Sequence, residues 1–259
     1  MPGVVDEVAK ARADLEAALA TRDPQLIEHT LVSHAWVLYS WHYDLLMQAI
    51  AGLPSSVIER QPLMRLVHPM TPILARTSRP FPPFVAADEA RQLSTEELDL
   101  LALSQLIVAR LSGDEEAALK CAKRLESRIL QGRDDFRDRR NGPLWYLWLQ
   151  LGSTRLVAGD TSRALQDLST AAKLAALTTV PDAERLVRGR TALTLAVRGS
   201  FAEAERALAE ALQQAPPTQA HVRASLATER AAAALLEVET LAEDLDARLA
   251  ELEPRVEVF

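Results

Sequence analysis

The sequence predicts an all-α chain folded as a right-handed superhelix, a solenoid of helix–turn–helix repeats, and three observations lead there. Ala and Leu dominate, only 9 of 259 residues are Gly, and β-branched runs are few, which favours helix along the whole length. Two stretches match when slid by 40 residues. In one, Trp148, Leu151, Gly152 and Arg155 precede a Gly159-Asp160 turn and then Ala164, Leu168 and Ala171. In the other, Ala192 and Leu195 precede a Gly199-Ser200 turn and then Ala204, Leu208, Ala211 and Pro216. Gly113-Asp114 with Ala118, Ala122 and Leu125 supplies a third, more degenerate copy, giving Ala-to-Ala spacings of 46 and 40. One hairpin of this kind cannot bury its apolar face alone, so neighbours must stack.

Element by element, Val4 to Ala20 reads as an amphipathic helix with Val5, Val8, Ala9, Arg12, Leu15 and Leu19 near one face. Asp23 is an N-cap and Pro24 the first helical residue of a helix over Gln25 to about Trp41. Tyr43 to Ala51 follows and stops at Gly52, and Ser55 to Arg60 is a short turn. Pro62 opens a helix that Pro69 and Pro72 kink or end. From Arg76 to Ala87 the helical spacing disappears. Pro80, Pro82 and Pro83 fix an extended backbone that Phe81 and Phe84 pin to the body; the alternative is a proline-motif ligand for another protein. This loop divides an N-terminal helical part, residues 1–87, from a repeat array with its capping helix, residues 88–259, the two reading as one continuous superhelical unit.

Ser94-Thr95-Glu96-Glu97 is a capping box that launches Leu98 to Leu111. The chain then turns at Gly113-Asp114 into Glu115 to Leu130, and Gln131 to Gly142 forms a wide loop rich in Arg and Asp. After Pro216-Pro217 a helix spans Gln219 to about Glu237, with Ala231 to Ala234 permitting close backbone approach. The last helix carries Leu241, Leu245, Leu249 and Leu252 on one face, either as a cap for the stack or as a homodimer seam.

Charge and composition narrow the function. A net charge of −7 with both signs interspersed argues against a nucleic-acid surface. The richest basic stretch, Arg124, Arg128, Arg133, Arg137, Arg139 and Arg140, is interleaved with Glu126, Asp134, Asp135 and Asp138 and reads as a salt-bridged loop. Cys121 alone allows no intrachain disulfide, fits a reducing compartment and reads as a small filler on a buried helix face. No segment reaches the roughly 18 continuous apolar residues of a membrane span. The N-terminus carries Asp6, Glu7, Asp14 and Glu16 where an export signal has an uncharged apolar block, so a cytoplasmic protein is expected.

The chemistry of catalysis is missing from the pattern. No P-loop, Gly-x-Ser-x-Gly elbow, His-Glu-x-x-His pair or Cys-x-x-Cys occurs, so no enzyme, cofactor or metal is expected. Aromatic residues instead cluster around the histidines of Gln25 to Tyr43. Trp36, Tyr39 and Tyr43 share a helix face at spacings of three and four, and with Trp41 and His34 (or His42) they outline a pocket for a small ligand. The competing reading is an aromatic core between packed helices.

The repeat offsets resemble the tetratricopeptide pattern, in which Trp, Leu, Gly and Tyr on one helix pack against Ala and Phe on the next; Trp148 falls at its structural tryptophan. The resemblance implies a groove faced by Tyr146, Gln150, Ser153 and Arg190 as candidate peptide contacts. Chaperone-tail-binding members clamp a terminal carboxylate with Lys and Asn, which Tyr146 and Gln150 do not reproduce.

The segment Leu53-Pro54-Ser55-Ser56-Val57-Ile58-Glu59-Arg60-Gln61-Pro62-Leu63-Met64-Arg65-Leu66 is similar to the Leu-Pro signature between the early helices of MalT-like regulators, which are LuxR-family bacterial transcription activators. Arg22-Asp23-Pro24 to Trp36 and Leu45 to Ile50 resemble the helices upstream of it, and the likeness spans residues 20 to 215. It implies a superhelical sensor region. Such regulators carry an ATPase before that region and a DNA-binding helix-turn-helix after it. This sequence has neither pattern, which implies an excised domain, a truncated regulator or a stand-alone relative. The expected function is a scaffold that binds a protein or peptide in bacterial transcriptional or signalling control. The alternative is a small-molecule effector sensor.

Overall fold

The structure, a computed structural model, describes residues 2–60, 95–131, 142–217 and 226–239. The proline-rich segment 76–87, the helix expected after Pro62 and most of the 131–142 loop lie outside the described residues, as do the start of the 219–237 helix and Leu241, Leu245, Leu249 and Leu252. Twelve helices and no strand occur among the described residues, so the all-α class holds. None of these helices is long and apolar enough to cross a membrane. The chain divides into two compact units, Met1–Gly132 and Arg133–Phe259.

The first unit opens with α1 (Pro2–Thr21), α2 (Pro24–Ser33), α3 (Ala35–Trp41), α4 (Tyr43–Ala51) and α5 (Ser55–Arg60). Asp23 caps α2 as its residue type predicts: its backbone is extended and its carboxylate accepts the Gln25 amide at 2.9 Å. The buried face of α1 runs through Ala11, Leu15 and Ala18, a neighbour of the face that the apolar count selects. Two alanines on that seam let α2 and α3 come close, and Ile27, Leu31, Leu38, Leu46 and Ile50 complete the core.

The helix expected over Gln25 to Trp41 is interrupted at His34, and the break expected between Trp41 and Tyr43 falls at His42. Each histidine closes one helix and opens the next: His34 N–H bonds Thr30 O and Leu38 N–H bonds His34 O, while His42 N–H bonds Leu38 O and Leu46 N–H bonds His42 O. His34 Nε2 meets Asp14 Oδ2 at 3.0 Å and His42 Nε2 meets the Val8 carbonyl at 3.2 Å. The two imidazoles tie successive short helices to α1, which runs the other way.

The unit also contains α6 (Thr95–Leu111) and α7 (Glu115–Gln131), joined at Gly113. The second unit holds α8 (Leu144–Val157), α9 (Thr161–Ala175), α10 (Ala183–Arg198), α11 (Phe201–Leu212) and α12 (Leu226–Glu239). The α6–α7, α8–α9 and α10–α11 turns are built alike. Gly113, Gly159 and Gly199 have φ of +74°, +77° and +85°. The next residue, Asp114, Asp160 or Ser200, donates its amide five residues back, to Ala109, Arg155 or Leu195, closing a Schellman motif. That same residue begins the following helix; Asp114 and Asp160 accept the amides of Ala117 and Arg163 on their carboxylates.

At Gly199 an added Cβ would meet nothing within 4 Å, so backbone strain alone decides the effect of a side chain there. Gly199→Ala is expected to cost about 1–2 kcal/mol in urea unfolding. Gly199→Asn is expected to cost less, since Asn tolerates the left-handed region.

Beyond each corner the second helix turns a small-residue seam inward. Ala118, Ala122 and Leu125 are buried on α7, Ala164, Leu168 and Ala171 on α9, and Ala204, Leu208 and Ala211 on α11. Packing in the second unit follows a fixed order: α8 lies on α9 and α10, α9 on α10, α10 on α11 and α12, and α11 on α12. One apolar cluster runs from Leu156 on α8 through Ala192 and Ala196 on α10 to Ala232 and Leu236 on α12.

Candidate functional site

Helix α8 carries most of the expected groove residues and is buried on nearly every side: Trp145, Leu147 and all residues from Leu149 to Leu156 are inside. Gln150 and Ser153 therefore lie in the interior, at 8% and 1% exposure. The Ser153 hydroxyl is donated to Leu149 O at 2.8 Å, which satisfies it within its own helix. Tyr146 is half-buried with its ring edge-on to Trp145, centroids 5.5 Å apart, and Arg190 on α10 is half-buried too. The structure thus leaves solvent access at Tyr146 and Arg190 and withdraws it from the other two. The fully buried tryptophan is Trp145, while Trp148 is only half-buried.

Gly152 on α8 explains how α9 comes so close. A Cβ there would stand 2.8 Å from Leu168 Cγ and 3.1 Å from the Ala164 carbonyl oxygen. The buried threonine hydroxyls on α8 and α10 are satisfied within their own helices. Thr154 and Thr194, 40 residues apart, donate to Gln150 O and Arg190 O at 2.9 and 2.8 Å.

Two buried ion pairs escape a sequence reading. Arg155, at the position that takes Tyr in the repeat pattern, bonds Asp167 across the α8–α9 hairpin. Arg185 on α10 grips Glu229 on α12 with two bonds of 2.8 Å, and one of its guanidinium nitrogens also donates to Gln214 O and Ala215 O, both at 2.9 Å. Hydrogen bonding to Glu229 holds the Arg185 guanidinium above its ordinary pKa despite burial, so it is permanently charged. Gly189, one turn on, opens the space for Glu229, since a Cβ there would sit 3.1 Å from Glu229 Cγ. The signal for Arg155 is a charged residue at a core position; nothing local marks Arg185 and Glu229, which are 44 residues apart.

In the first unit the aromatic residues come together as their spacing predicts. Trp36 stacks on Tyr39 at 5.9 Å, and Tyr43 meets Tyr39 edge-on at 5.8 Å. Trp41 is half-buried at the end of α3. His34 turns from this cluster toward Asp14 on α1. Among the described residues no three His, Cys, Asp or Glu side chains converge as metal ligands do. Cys121 is half-buried on α7, and desolvation pushes its thiol pKa up, which keeps it protonated at neutral pH and weakly nucleophilic.

Comparison with family models, with curated proteins and with solved structures returns no match.

Proposed function

We propose that the protein is a non-enzymatic, tetratricopeptide-like scaffold whose second unit is a right-handed solenoid presenting a groove to a protein or peptide. The observation that carries this is the packing order of α8 to α12: the first helix of each hairpin touches both its own partner and the first helix of the next. A stack built this way sets the first helices side by side, and a ligand reaches their shared face at Tyr146 and Arg190. The recurring glycine corner and alanine seam support the same reading. The likeness of residues 20 to 215 to MalT-like sensor regions supports a setting in bacterial transcriptional or signalling control. Tyr146 and Arg190 are the contacts, an aromatic and an arginine of the kinds that concentrate binding energy.

Photocrosslinking tests it. The chain carrying p-benzoylphenylalanine in place of Tyr146 or Arg190 is expected to trap one protein species in cells, whereas the same group at exposed Glu205 on α11 traps none. Tyr146→Ala and Arg190→Ala are expected to reduce recovery of that species while changing stability by no more than about 1 kcal/mol. Equal trapping at Glu205, or no adduct from either groove position, would rule the groove out.

A further inference from the structure

A cleft of about 340 Å³ opens between α1 and α2 of the first unit. It exists because Ala17 and Ala18 face it from α1, where larger side chains would close the gap, and Leu26 of α2 adds an apolar wall. The polar end is Asp14. Its Oδ2 takes the His34 imidazole at 3.0 Å, Oδ1 makes no bond among the described residues, and the side chain is 41% exposed.

Two of the three hydroxyls that line the cleft, those of Thr30 and Thr21, are committed as donors; the third belongs to Ser33. Thr30 gives its proton to Leu26 O at 2.8 Å and Thr21 to Ala18 O at 2.6 Å, so each presents only oxygen lone pairs. The cleft therefore presents the Asp14 carboxylate and the lone pairs of Thr30 and Thr21, with an aliphatic surface beside them; His29 and Ser33 also line it. An anion would face the Asp14 carboxylate. We propose that this cleft binds a small organic cation, a primary amine or guanidine, whose N–H groups bond Asp14 Oδ1 and Thr30 Oγ1 and whose aliphatic body lies on Leu26 and Ala17. The inference does not rest on the scaffold reading.

The test is a titration of the full chain with butylamine and with butylguanidine, read from imidazole ¹H–¹⁵N spectra. Butyrate and 1-butanol serve as controls of the same shape. Saturable shifts at His29 and His34 are expected with both cations, with Kd of about 0.1–10 mM for ligands so small in an open cleft, and none with the controls. Asp14→Asn keeps the shape, removes the charge and is expected to weaken binding by about tenfold or more. Ala17→Leu fills the cleft from a helix position without changing any charge and is expected to abolish the shifts. No saturable shift in the unaltered chain, an equal response to butyrate or butanol, or undiminished affinity in either folded variant overturns the proposal.

Discussion

Arg185→Ala is expected to destabilise the second unit by about 3–5 kcal/mol. The change removes four hydrogen bonds at once and strands the Glu229 carboxylate, in a residue only 5% exposed, beside two main-chain carbonyls without their donor. The penalty comes from the uncompensated buried charge rather than from the worth of the pair. Arg185→Lys keeps the charge but loses the planar fork, so it is expected to fall between the parent and the alanine variant. Arg185→Met combined with Glu229→Leu removes both charges and is expected to recover most of the loss. Urea unfolding followed by circular dichroism measures all three. Hydrogen exchange locates the damage, which is expected on α12 first, because Arg185 ties α10 to that helix through its polar end. A cost below about 1 kcal/mol for Arg185→Ala would mean that solvent reaches Glu229.

The second large effect is at Gly152. A methyl group there would press on Leu168 Cγ at 2.8 Å and on the Ala164 carbonyl at 3.1 Å, and neither is the loose end of a flexible chain. Alanine gains about 1 kcal/mol of helix propensity over glycine, while overpacking costs about 1–3 kcal/mol. The clash wins, and Gly152→Ala is expected to be destabilising although it sits mid-helix. Leu168→Ala alone opens a cavity at a fully buried site and is expected to cost about 2–5 kcal/mol. The double variant is the informative one. The methyl group added at position 152 enters the space that Leu168 vacates, so the combined loss should fall short of the sum of the two by about 1 kcal/mol or more. Strict additivity in unfolding measurements would show that α8 and α9 do not meet at this point.

These two sites also show what a sequence discloses. Gly113, Gly159 and Gly199 are readable because a left-handed corner tolerates few residue types, and the alanine seam is readable because close helix approach needs small side chains. The Trp36, Tyr39 and Tyr43 cluster is readable because residues three and four apart share a helix face even across the break at His42. Gln150 and Ser153 mislead for the converse reason. A polar residue reads as solvent-facing until the neighbours that bury it are known, and Ser153 satisfies its hydroxyl locally. The Arg185–Glu229 pair has no local trace at all, since its partners meet only through tertiary packing. Gln25 to Trp41 contains no glycine or proline to announce the break at His34, whereas the one at His42 falls where the sequence places it, between Trp41 and Tyr43.

The corner residues have a consequence for how this chain tolerates change in length. Asp114, Asp160 and Ser200 each finish one helix and start the next, so the elbow has no slack to absorb an inserted residue. The interval between successive elbow glycines nevertheless varies, 46 residues in one case and 40 in the other. Insertions and deletions should therefore survive only on the return path that leads out of one hairpin and into the following one. A single residue added after Gly159 ought to be far more damaging than the same residue added between Leu177 and Val180, where no helix is being terminated and launched by one amino acid.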